Sequence, residues 1–111
     1  MELSTSKIGA VSVLDVAGRI DSVTAKPLEE KILGLITEAP PALVVDFAKV
    51  DYISSAGLRV LLVAAKRCKA APCDFALCSL NAPVRQVFDI SGFDSIMAIH
   101  PDRASALAAV G

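Results

Sequence analysis

The sequence predicts an α/β fold: a small mixed, mostly parallel sheet covered by helices. Three observations predict it. Runs of strand composition alternate with stretches of helical periodicity along the whole chain. Repeated strand–helix–strand steps imply right-handed crossovers and so parallel neighbours. And 111 residues suffice for one core but leave no room for a second, so 1–111 is read as a single domain.

The elements follow in order. "AVSVLDVAG" (10–18) alternates Val11 and Val13 against Ser12, Leu14 and Val16, is rich in β-branched residues and ends at Gly18, which reads as a strand. "MELSTSKIG" before it reads as a short partner strand turning at Gly9. In "VTAKPLEEKILGLITEA", Leu28, Ile32, Leu35 and Ile36 recur at helical spacing, with Ser22 or Thr24 as cap and Pro27 in the first turn. Pro40-Pro41 forbids continuation. "ALVVDF" (42–47) has the composition of a strand buried on both faces.

A second helix is expected over 55–71, stopped by Pro72. Placing Leu58, Leu61, Leu62 and Ala65 against the sheet turns Arg59, Val63, Lys66 and Arg67 outward. "CDFALCSL" (73–80) reads as a strand. In "NAPVRQVFDISGF", Asn81 is a candidate cap, Pro83 falls in the first turn and Gly92 follows the helix end. "SIMAIH" (95–100) is a last strand, and an Ala-rich helix opens at Pro101-Asp102.

Composition excludes several functions. Mean hydropathy is +0.59, yet the longest apolar stretch, Ala56–Ala65, is broken by Arg59 and is about half the roughly 20 residues a bilayer needs. No basic region followed by an apolar stretch opens the chain, so no signal peptide is read and the cytoplasm is the expected compartment. A net charge of −1, with a single Tyr and no Trp, argues against a nucleic-acid binder. Cys68, Cys73 and Cys78 lack a metal-ligand pattern and read as buried free thiols of a reducing compartment. No metal, cofactor or nucleotide motif is present.

The most informative stretch is "DYISSAGLRVLL" (51–62), with two small hydroxyls at the mouth of an apolar run. A nucleophile elbow would need glycine two before the serine, but Tyr52 and Ile53 stand there, and His100 is the only histidine for a Ser–His pair. The plain structural reading of Ser55 is a helix cap, its hydroxyl accepting from Gly57 or Leu58 and contributing about 1 kcal/mol. That leaves Gly57 unexplained, since glycine inside a helix costs about 1 kcal/mol relative to alanine. Small Ala56 and Gly57 would instead leave the hydroxyl open to another protein's active site. A phosphate on it would face a helix N-terminus, which favours negative charge.

"GRIDSVTA", "VVDFAKVDYISSAGLRVLL" and "APVRQVFDISGF", in this order and spacing, resemble the STAS domain of bacterial anti-sigma factor antagonists, and the resemblance covers essentially the whole chain. It implies a small sheet with helices on one side. It also implies that a serine at the start of the second helix is phosphorylated by a serine/threonine kinase that is itself the anti-sigma factor. The unmodified antagonist binds that factor and frees the sigma factor, and a serine phosphatase resets the cycle. The family motif is Asp-Ser-Ser/Thr-Gly-Leu. Aligned on Gly57-Leu58, the acceptor is Ser55, with Ser54 in the Asp position, Ala56 in the second hydroxyl position and Ser54 as second-choice acceptor. Asp46 or Asp51 would then supply the missing charge nearby.

Asp21 matches the acidic residue of the family's Gly-x-x-Asp turn and is expected beside the phosphorylation loop. The partner-binding set is therefore Asp21, Ser54, Ser55, Ala56, Gly57, Arg59 and Val63, without catalytic residues. The alternative implied by the same resemblance is a constitutive adaptor subunit of a lipid ABC transporter, using Val63 and its basic neighbours without phosphate. A small hydrolase built on Ser55 is a third class.

Overall fold

The computed structural model describes residues 1–110. The element order is β1 (Glu2–Ile8), β2 (Val11–Ile20), α1 (Ala25–Thr37), β3 (Ala42–Ile53), α2 (Ser55–Ala70), β4 (Asp74–Cys78), α3 (Ala82–Ser91), a 3-10 turn (Phe93–Ser95), β5 (Ala98–His100) and α4 (Arg103–Ala109). The five strands lie in chain order, β1-β2-β3-β4-β5. β1 and β2 form an antiparallel hairpin across Gly9-Ala10, with Gly9 at φ +63° supplying the positive φ that such tight turns demand. Every other pair is parallel.

A sheet that advances strand by strand in one direction through right-handed crossovers must put its crossover helices on one face. Accordingly Leu14, Val16, Leu43, Val45 and Leu77 point to that face and pack with Leu28 and Ile32 of α1, Leu58 and Leu61 of α2, and Phe88 of α3. The alternate positions Val13, Val44, Ala76 and Cys78 face the other way, where Ala106 of α4 covers them. So three helices lie on one side, as the resemblance implied, and α4 is the exception.

Several bounds differ from the sequence reading. β2 does not stop at Gly18. It bends there, at φ +101° and a register shift, and runs on to Ile20. β3 continues to Ile53, well past Phe47, because Val50 and Ile53 stay buried while Lys49, Asp51 and Tyr52 face solvent. β5 is shorter than 95–100, since the 3-10 turn takes up Ser95. Asn81 and Asp102 do cap α3 and α4, accepting from the amides of Val84 (2.9 Å) and Ser105 (2.7 Å). Neither Ser22 nor Thr24 side chains cap α1: Thr24 occupies the cap position, but its hydroxyl bonds backward into the preceding loop.

The two strand extensions matter most for function. β4 ends level with Asp46, where Cys78 pairs with it. Beyond that row β3 is flanked by β2 alone, so the ends of β2 and β3 project together and present the loops that follow them.

Candidate functional site

The site forms where β2 and β3 run out. The Ser54 amide donates to the Ile20 carbonyl (2.8 Å), tying the start of α2 to the end of β2. This is the carboxyl edge of a parallel sheet, where such folds place their binding residues.

Ser54, rather than Ser55, is the cap. Ile53 must point into the core, and the next residue is still extended (φ −93°, ψ 173°), so its hydroxyl reaches the amide of Gly57 (3.3 Å). Ser55 is the first helical residue and is exposed, with a hydroxyl not used for capping. The two hydroxyls thus have different duties: one holds the helix, the other faces solvent.

Gly57 has a structural cause different from the one its sequence suggests. It is buried, and a Cβ built on it would lie 2.6 Å from Ile20 Cγ2 and 2.8 Å from Ile53 Cγ1. It lets α2 seat closely on both strand ends instead of clearing space around Ser55. Ala56 is half-buried beside it.

Asp21 sits in the loop that Ile20 leads into. Its Oδ1 accepts from the amides of Val23 (3.0 Å) and Thr24 (3.1 Å), while the Thr24 hydroxyl accepts from the Asp21 amide (2.9 Å) and donates to the Arg19 carbonyl (2.8 Å). The Thr24 and Val23 amides hold the Asp21 carboxyl below its ordinary range, so it is ionised at neutral pH. Arg19 lies 4.0 Å from Asp21 Oδ2 and stacks over the Tyr52 ring at 4.3 Å. Arg19, Tyr52 and the highly exposed Val23 (81%) belong to this surface; all three lie within the motif stretches, but the sequence reading did not single them out.

Along α2, Arg59 is exposed, while Val63 is half-buried rather than open. The buried stripe of α2 is Gly57, Leu58, Val60, Leu61, Ala64 and Cys68. It is rotated from the expected one because Val60 and Ala64 turn inward, leaving Leu62 and Ala65 half-covered. Arg59, Lys66, Arg67 and Lys69 all remain exposed, and α2 contains no acidic residue.

Other candidates lie elsewhere. Asp46 is eight residues before Ser54, about 25 Å along an extended strand. It supplies no charge to the serines. It is buried midway along β3, in the row where β4 and β5 end, and it accepts from Arg103 Nε (2.9 Å) and from the Ala48 amide (2.9 Å). Arg103 also bonds Asp15, the cross-strand neighbour of Asp46, so one guanidinium offsets two adjacent carboxylates. His100 stands in the same row, through Cys78, and so cannot form a Ser–His pair with Ser54 or Ser55. A depression of about 420 Å³ lined by Asp15, Asp46, Lys49 and Arg103 lies beside this ion pair. Cys68, Cys73 and Cys78 are buried free thiols, and burial pushes Cys68 up to about 12 and Cys78 to about 11, which leaves them protonated and inert at neutral pH.

With this geometry in view, three comparisons are informative. The sequence model of the STAS domain matches residues 2–106. BtrV of Bordetella bronchiseptica, provisionally named an anti-sigma factor antagonist, is 38% identical over 109 residues, spanning 98% of this chain and 94% of its own. RsfB of Mycobacterium tuberculosis, named an anti-sigma-F factor antagonist, is 29% identical over 90% of this chain and 81% of its own. The crystal structure of an anti-sigma factor antagonist from Mycobacterium paratuberculosis superposes with a TM-score of 0.91 at 31% identity, covering 98% of this chain and 92% of that one.

Proposed function

The chain belongs to the STAS domain family, and from that premise we propose that it is an anti-sigma factor antagonist switched by phosphorylation of Ser55. Unmodified, it binds a serine/threonine-kinase anti-sigma factor in the cytoplasm and frees the sigma factor. The phosphorylated form releases that partner until a serine phosphatase resets it. The chain acts as one domain and as a binding protein, not an enzyme.

The observation that carries this reading is the division of labour between Ser54 and Ser55. Ser54 is spent on the cap, whereas Ser55 is exposed in the first turn of α2. A phosphate on Ser55 would leave the cap intact. It would lie at a helix N-terminus that has no acidic residue in its first turn, a position that stabilises negative charge. The fold would survive and the surface would change sign. Asp21, Ser54, Ala56 and Gly57 shape this end of the molecule, and Arg59 and Val63 continue the surface along α2.

The test is capture of partners from native lysate on wild-type and Ser55→Glu baits, followed by binding measurements on the unmodified and fully phosphorylated chain. A kinase-type anti-sigma factor that is held by the wild type and lost on phosphorylation supports the switch. Equal binding of both forms sinks it. A transporter ATPase or permease held equally by both would make the chain a constitutive adaptor.

A further inference from the structure

Resting on Ser55 as the modified residue, we propose that Arg59 is the internal counter-ion of the phosphorylated state. Ser55 and Arg59 are both exposed and four residues apart on α2. Residues so spaced stack on one helix face, with Cβ atoms about 5–6 Å apart. Side chains on a helix lean toward its N-terminus, so the Arg59 stem leads back over the first turn.

The guanidinium is uncommitted. α2 carries no Asp or Glu, and none of the ion pairs among the described residues uses Arg59. Arg19, the other guanidinium near the site, is occupied by the Tyr52 ring and Asp21. The carboxylate of Asp21 is itself held by its own loop. Among the described residues, an anion appearing on Ser55 therefore has one free cation a single turn away.

Modification would transfer the γ-phosphoryl group of ATP to Ser55 Oγ. The bond to ADP breaks, and the hydroxyl proton leaves to a base of the kinase. The new dianion draws Arg59 back one turn, into the fork geometry in which guanidinium binds phosphate. One covalent event then makes two changes: negative charge is added, and a cation is withdrawn from the face that α2 offers with Lys66, Arg67 and Lys69. In the unmodified chain that face is of one sign and complements an acidic surface on the partner.

The experiment uses the full chain with phosphoserine placed at position 55 during translation, so that no kinase is needed. A ³¹P NMR titration reads the second phosphate ionisation, ordinarily near pH 6. A paired cation holds it down, so Arg59→Gln raises the midpoint by roughly 0.2–0.4 unit, while Arg59→Lys retains most of the effect. Lys66→Gln, farther along the helix, leaves the midpoint in place. A midpoint unmoved by Arg59→Gln, or moved by Arg19→Gln in its stead, overturns the proposal. Circular dichroism confirms that each variant is folded. Failure of the switch reads differently: the phosphorylated chain would bind its partner as the unmodified one does, whatever the ³¹P midpoint shows.

Discussion

A methyl group at Gly57 would overlap Ile20: the two carbons would be 2.6 Å apart, with Ile53 only 2.8 Å away on the other side. Both isoleucines are buried and β-branched, so neither can swing aside. Gly57→Ala gains about 1 kcal/mol of helix propensity but incurs overpacking of about 1–3 kcal/mol. Gly34, in α1, has nothing within 4 Å of its Cβ position and is exposed. The two substitutions should therefore differ in sign: Gly57→Ala lowers stability, while Gly34→Ala raises it by about 0.4–1 kcal/mol. Urea unfolding of both variants checks this.

The serines should separate in the same assay. Ser54→Ala removes the cap of α2 and costs about 1 kcal/mol. Ser55→Ala touches an exposed hydroxyl with no capping role and should stay within about 0.5 kcal/mol of wild type. Phosphorylation by a cognate kinase should follow the opposite pattern, being abolished in Ser55→Ala and retained in Ser54→Ala. Mass spectrometry of the modified variants reads the second half.

Arg103 holds Asp15 and the buried Asp46 together. Arg103→Met leaves two neighbouring carboxylates facing each other, one of them buried and short of a cation. The expected cost is about 2–4 kcal/mol, less than for a fully enclosed pair because Arg103 and Asp15 are partly solvated. Adding Asp46→Asn to Arg103→Met should return part of that loss, and a double-mutant cycle on denaturant midpoints measures how much.

The acid limb of stability should carry a contribution from Asp21. Its carboxyl is depressed on folding from an ordinary value of 3.8, chiefly by the Thr24 and Val23 amides. A group depressed in this way stabilises the fold above its unfolded value, and that contribution is lost as pH falls through the lower folded value. Asp21→Asn cannot ionise. The gap between wild type and variant should be widest above pH 4 and should close in stronger acid, a trend that urea midpoints across the acid range report.

The element order, the cap of α3 and the opening of α4 at Pro101-Asp102 were legible because they depend on local chemistry. Asn81 and Asp102 each bond an amide three residues on. The motif around Ser55 was legible as a pattern, but the roles within it were not. Which of two adjacent serines caps a helix depends on where Ile53 must point, and that is decided by the core. Gly57 was misread for the same reason, since its neighbour Ile20 is remote in sequence. β3 was cut short at Phe47 because the continuously buried run ends there and beyond it only Val50 and Ile53 are buried. Asp46 was placed near the serines by sequence proximity, whereas eight residues of extended strand hold it about 25 Å away, midway along β3. Its tie to Arg103 spans 57 residues and leaves no trace in local spacing.

The strand order, identical to the chain order, has a consequence for synthesis. As the polypeptide leaves the ribosome, each new strand finds its partner already in place, beginning with the β1–β2 hairpin. No strand must wait for one made later, and each added crossover extends an existing edge. The exception is Arg103, which reaches back 88 residues to Asp15. It fastens the sheet from the opposite face, so a helix made after all five strands ties β2 to β3.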